Sequence, residues 1–272
     1  MAKIISLFFF ETTNPRISFI EYRCTLTMLR QAKEDRTLKE NLMLASSTAF
    51  VSGVINVAGV VAFLAFTSNI TGHVANLARH MVEQNLREIM VFVLWLLLFF
   101  SGAFTSNFII RSLEYKSRYR AHATPIVIEI IILLLVAVYG QHFYDETRTE
   151  REVVIGAMLF AMGLQNSLVS NISGGLIKTS HLTGLFTDLG SEVAEWLHPA
   201  TQKTEVVRNK IFIRLTILTF YIIGGIAGGY LFDRFDFLIF YFVPVILLTI
   251  LYYDLSPLAL HKLSKLFGKG SN

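Results

Sequence analysis

Residues 41–72 read NLMLASSTAFVSGVINVAGVVAFLAFTSNITG, and no charged side chain interrupts them. About 20 apolar residues in a row are what a helix needs to cross the hydrocarbon core of a bilayer. Inside the run stand Gly53 and Asn56, and it closes on Thr67-Ser68-Asn69-Ile70-Thr71-Gly72. Residues 160–184, FAMGLQNSLVSNISGGLIKTSHLTG, follow the same plan. Gly163 and Asn166 stand inside, and Thr179-Ser180-His181-Leu182-Thr183-Gly184 closes the run. The offset is 110 for Gly and Asn and 112 for the motif, so a two-residue insertion aligns both. Asn76 and Asp188 follow at 112, and Ser101-Gly102 in the next apolar run answers Gly224-Gly225. A single short motif recurs by chance; an ordered set in matching runs marks an internal repeat.

The rest of the chain agrees with a membrane setting. Of 272 residues, 53% are hydrophobic and 16% charged, against about 25% charged in a soluble domain. Mean hydropathy is +0.54. This composition excludes a soluble enzyme, a disordered chain and a nucleic-acid binder. The lone cysteine, Cys24, excludes a disulfide framework and a cysteine-based zinc site. No cleavable leader is legible, because Ile4 to Phe10 runs straight into Glu11 without a small-residue cleavage site.

Six runs are long and apolar enough to span: about Asn41–Phe66, Ile89–Ile110, Pro125–Tyr139, Val153–Ile172, Ile211–Phe232 and Phe237–Tyr253. With these spans, 19 of the 24 basic residues fall on one side. Basic residues mark the cytoplasmic side, so both termini are expected there. The net charge of +4 then reports topology rather than nucleic acid. Three spans per half turn the second half over, which is an inverted-topology repeat. The expected fold is thus an all-α integral membrane protein with six transmembrane helices in two inverted three-helix repeats. The segments are 1–40 cytoplasmic, 41–145 first repeat, 150–256 second repeat and 257–272 cytoplasmic tail.

Residues 46–78, SSTAFVSGVINVAGVVAFLAFTSNITGHVANLA, and residues 161–190, AMGLQNSLVSNISGGLIKTSHLTGLFTDLG, carry a further likeness. Together with Thr71-Gly72-His73, Gly163-Leu164-Gln165-Asn166 and Thr187-Asp188-Leu189-Gly190 they resemble the YoaK family of bacterial membrane proteins, named for domain of unknown function 1275. The likeness runs from about Leu38 to Tyr253. It implies a bacterial inner-membrane protein and no substrate. His73 stands where many of that family have Asn. The likeness begins close after Met28, which leaves two readings of residues 1–27: a misplaced start with translation beginning at Met28, or a genuine cytoplasmic extension.

Several residues invite a functional reading. In the Thr-Ser-x-x-Thr-Gly segments, glycine permits unwinding and hydroxyls bind freed backbone groups or a substrate. The plainer reading makes Thr71 or Thr183 the N-cap of a following interfacial helix, with Gly72 and Gly184 for close packing. Asn56, Gln165 and Asn166 lie inside spans, where amides either bond between helices or line a polar cavity. Glu129 in the third span reads as a proton-coupling acid or as a group reaching the interface past Pro125. Asp188, Glu192 and Glu195 share a helical face. Gly224, Gly225, Gly228 and Gly229 form overlapping GxxxG patterns, a close helix contact within the chain or between copies in a homo-oligomer. The seven His form no ligand set, so no metal or cofactor is expected, and no nucleophile–base pair points to an enzyme.

The leading expectation is a small-solute transporter or permease in the lipid bilayer. Its site lies between the repeats and uses Asn56, Thr67, Thr71, Gly72, Gln165, Asn166, Thr179, Thr183, Gly184 and Asp188. The alternative is a non-transporting membrane scaffold or sensor.

Overall fold

A computed structural model describes residues 28–30 and 35–267. The described residues form helices α1 Leu38–Phe63, α2 Ile70–Val82, α3 Leu86–Leu113, α4 Arg118–His142, α5 Arg148–Ile172, α6 Leu182–Leu197, α7 Glu205–Phe235 and α8 Ile239–Phe267. A 3-10 turn, Asp236–Leu238, joins the last two. No strand occurs among them. The two readings of residues 1–27, with Cys24, lie outside the described residues, as do residues 268–272.

Five stretches are long and apolar enough to cross a membrane: α1, α3, α4, α5 and Glu205–Asp254. The last is 50 residues long and holds both α7 and α8. In α3 only 17% of the apolar window is buried, and Phe100, Phe104 and Phe108 stack along its outer side. A continuous apolar face of this kind is a liability in water and an asset in lipid.

The helices overrun the apolar runs because polar caps close them. Thr37 and Glu40 make a capping box at the start of α1, and Thr147 and Glu150 make another at the start of α5. Ser117 caps α4 by accepting from the Arg120 N–H. As a result α4 begins at Arg118, seven residues before the expected Pro125, which sits inside the helix. Glu129 is therefore the twelfth of 25 residues rather than a group near the helix start. It is 1% exposed.

Two pairings dominate the packing, α1 along α7 and α5 along α3. Both rest on glycine, and in the same way. A Cβ on Gly53 would stand 2.1 Å from the Tyr221 carbonyl oxygen, and one on Gly224 would stand 2.1 Å from that of Phe50. In the other pair a Cβ on Gly163 would meet the Phe99 oxygen at 2.2 Å, and one on Gly102 would meet that of Phe160 at 2.1 Å. Only glycine lets these backbones approach so closely. Gly225 and Gly229 meet Val57, and Gly228 meets the Val54 backbone. The GxxxG face is thus filled by α1 of the same chain, and a homo-oligomer cannot use it without displacing α1.

Candidate functional site

After α1 the chain turns through Leu64, in the left-handed region at φ 54°, and runs back toward the helix. After α5 it turns through Gly174 and Gly175 at φ 62° and 84°, where glycine meets no steric penalty. Each return segment delivers hydroxyls against the amide of the helix it has just left. The Thr67 and Ser68 hydroxyls donate to Asn56 Oδ1 at 3.1 and 2.9 Å. The Thr179 hydroxyl donates to Asn166 Oδ1 at 3.4 Å. Gly59 makes room for Thr67, whose methyl carbon would lie 2.8 Å from any Cβ there.

Ser52 of α1 joins the two arms. Its Oγ lies 3.0 Å from Thr179 Oγ1 and 3.2 Å from Gln165 Oε1, donating to one at a time. Asn56 Nδ2 donates in turn to the Ser52 carbonyl at 2.9 Å. Ser52, Asn56, Thr67, Gln165 and Thr179 are all at most 1% exposed. Most of this cluster is internally satisfied, as buried polar groups must be. Two donors are not: Gln165 Nε2 and Asn166 Nδ2 have no partner among the described residues.

Five of the residues singled out in the sequence therefore meet: Asn56, Thr67, Gln165, Asn166 and Thr179. The other five do not join them. Thr71 and Gly72 lie in the first turn of α2, and Thr183 and Gly184 in that of α6. Thr71, Thr183 and Gly184 are exposed. Neither threonine is a cap. Asn69 caps α2, its Oδ1 accepting from the Gly72 N–H at 3.0 Å, and His181 stands at the α6 cap without a side-chain bond. Gly184 packs against nothing within 4 Å. Asp188 faces Arg214 of α7 at 3.0 Å, and Glu192 joins the same guanidinium at 3.2 Å. Glu195 is exposed.

His73 is a fixed strut. Its Nε2 bonds the Phe66 carbonyl at 2.8 Å and its ring meets Trp95 edge-on at 5.4 Å. Burial holds the imidazole below its ordinary value of 6.5, so it serves as a neutral donor.

Four participants escaped the sequence reading. Ser52 and Ser68 complete the cluster, Ser68 from the return segment and Ser52 from α1, where a serine most often bonds its own turn. Arg214 was read only as a topology charge. Asp254, fully buried at the end of the last apolar stretch, accepts the Met28 and Leu29 N–H groups, both at 2.6 Å. The repeat offset could have found Ser68, which follows Thr67 in the motif.

No group of three or more His, Cys, Asp or Glu is placed to hold a metal ion among the described residues. A family model described as "Protein of unknown function (DUF1275)" matches residues 44–253. No curated protein and no solved structure matches the chain.

Proposed function

The chain belongs to the DUF1275 family of proteins of unknown function, and from that premise we propose a six-span membrane permease that passes a small solute between two inverted repeats. The observation that carries this reading is the buried polar cluster. Ser52 and Asn56 come from the first half and Gln165, Asn166 and Thr179 from the second, and together they form a buried polar cluster between spans of mainly apolar sequence. Intramembrane polar groups are costly and gather where a solute path needs them. Unwound segments beside discontinuous helices, at the boundary between repeats, are where such paths bind their cargo.

Three features support the inverted repeat. The glycine contacts are reciprocal: Phe50 with Gly224 and Phe160 with Gly102, Gly53 with Tyr221 and Gly163 with Phe99. Those positions are related by 110 within α1 and α5 and by 122 within α3 and α7. The capping boxes at Thr37 and Thr147 keep the 110 offset. The Thr67–Asn56 and Thr179–Asn166 bonds join equivalent places. Six crossings follow from dividing the 50-residue stretch at Asp236–Leu238. One unbroken helix of that length would reach about 75 Å, far beyond the roughly 30 Å of hydrocarbon.

The charge bias, 19 basic residues against 5, supports a topology with both termini on the cytoplasmic side of a bacterial inner membrane. The protein moves its solute rather than transforming it. One repeat rocks against the other about the cluster, giving access to each side in turn.

The test is a thermal-shift screen of small solutes on the purified chain, followed by flux of each hit in reconstituted vesicles. A hit whose flux falls at least about 10-fold in the Ser52→Ala/Thr179→Val double variant supports the proposal. If neither melting nor flux responds to any solute, the permease reading fails.

A further inference from the structure

A cavity lies beside the cluster, between α1, α4, α5 and α8. Glu129 and Gln165 line it with Thr48, Leu44, Ile126 and Leu247. It has room for about one water molecule. Both Glu129 carboxyl oxygens and Gln165 Nε2 lack a partner among the described residues. An ionised carboxylate in such a place needs a counter-charge or a proton.

The surrounding elements supply no counter-charge. From α1 comes Thr48, whose hydroxyl is committed to the Leu44 carbonyl at 2.5 Å. From α5 comes Gln165, and from α8 only apolar side chains. His122, on α4 itself, bonds the Leu29 carbonyl. Arg30 lies over the Tyr119 ring, and Asp254 is committed to backbone N–H groups. None of these three lines the cavity. A metal ion such as calcium or magnesium asks for about six oxygen ligands; two carboxylate oxygens and one hydroxyl fall short. A proton asks for one.

Leu29 also lines the cavity. Its segment, Met28–Arg30, is strapped down from three sides. Asp254 of α8 holds the Met28 and Leu29 N–H groups, His122 of α4 holds the Leu29 carbonyl, and Arg36 donates to the Met28 carbonyl at 2.7 Å. The sequence around it carries Arg23, Arg30, Lys33, Arg36 and Lys39, basic residues that the charge bias assigns to the cytoplasmic side.

We propose that the cavity is a proton-binding site, with Glu129 as its carboxyl, Gln165 as its link to the polar cluster and Met28–Arg30 as its closure toward the cytoplasm. A proton from water adds to a Glu129 oxygen and gives the neutral acid; its departure restores the carboxylate. Gln165 lines the cavity and reaches the cluster through Oε1, which accepts from Ser52. One side chain therefore carries the protonation state of Glu129 to the solute path. The inference deepens the permease reading by naming the coupling ion, yet binding of the proton does not depend on solute transport.

The experiment counts protons. Full-length protein in unbuffered nanodiscs is stepped through the pH range over which it stays folded, and its uptake is compared with that of Glu129→Gln. The native chain takes up one proton more. A difference of zero over the whole range overturns the site and leaves the permease reading standing. Gln165→Leu keeps the one-proton amplitude and changes its midpoint; an unmoved midpoint overturns the link. Asp254→Asn loosens the strap and speeds uptake about 5-fold or more in stopped flow; an unchanged rate overturns the closure. If Glu129→Gln does not fold, the infrared band of the neutral carboxyl is followed in the native chain and in Glu129→Asp. Loss of that band as base is added supports the site; a band that is absent or constant overturns it.

Discussion

In the first half of the chain His80 stacks on Phe92 at 5.4 Å, joining α2 to α3. At the equivalent places of the second half Glu192 and Arg214 join α6 to α7 by an ion pair. The cluster differs in the same manner. Asn56 Oδ1 accepts from two hydroxyls, whereas Asn166 accepts from one and keeps an unpartnered amide. Asn69 caps its helix; His181 does not. The glycine contacts, by contrast, are alike to within 0.1 Å. Backbone approach is thus common to both halves, and side-chain chemistry is where they part. At these paired places the first half is joined by a ring contact and a satisfied amide, and the second by an ion pair beside an amide with a free donor.

The common part has the largest expected effect. Gly53→Ala, Gly224→Ala, Gly102→Ala and Gly163→Ala each force a methyl onto a carbonyl oxygen at 2.1–2.2 Å. Each should cost about 3 kcal/mol in reversible unfolding from mixed micelles, equally in both halves. Sensitivity confined to one half would break the equivalence. Gly184→Ala, in open space, should stay within about 1 kcal/mol of the native chain.

The ion pair comes next. Arg214→Leu strands Glu192, whose side chain is 11% exposed, and should cost about 3 kcal/mol. The Arg214→Leu/Glu192→Leu pair should recover most of that. At the matching place His80→Leu should lose about 1 kcal/mol of ring contact, its bond to the half-exposed Glu83 adding little. Similar losses at His80 and Arg214 would erase the contrast.

Within the cluster, Asn56→Leu orphans two buried hydroxyls and should lower stability by about 2 kcal/mol. Asn166→Leu loses one long bond and removes an unpaired amide, so its cost should be under about 1 kcal/mol. The reverse order, read from thermal melts, would contradict the hydrogen-bond assignment.

The smallest effect is a pH dependence. Burial holds His73 below its ordinary 6.5, so the unfolded chain binds a proton there more readily than the folded one. Its contribution is fully present above pH 6.5 and is lost as pH falls below it, at most about 1.4 kcal/mol per pH unit. His73→Asn should flatten that part of the melting-temperature profile between pH 7 and 5. Leu185 occupies the corresponding place in the second half, so no equivalent variant exists there.

The long apolar helices were legible because each is marked by a run of apolar residues long enough to cross a bilayer. The pairing of each helix amide with its return segment was legible through the repeat. Helix ends were not, because caps such as Ser117 lie in polar sequence outside the apolar run. Pro125 read as a start because the apolar run begins there, yet it falls at the eighth residue of α4. Thr71 and Thr183 read as site residues because they sit in the motif. The turn that returns Thr67 and Thr179 to the core leaves them on the outside. Arg214 with Glu192, 22 residues apart, and Asp254 with Met28, 226 apart, are tertiary contacts that no local period encodes.

The account turns on the two halves being inverted across a membrane, and one measurement addresses that directly. In a Cys24→Ser background, Thr71→Cys and Thr183→Cys are labelled in sealed vesicles of known orientation with a thiol reagent that cannot cross the bilayer. Both threonines are exposed on the surface of the protein, so neither is shielded from the reagent by packing within the chain. Thr71→Cys should label from outside alone and Thr183→Cys from the cytoplasmic side alone. Labelling of both from the same side would contradict the inverted repeat, and with it the solute path between the halves.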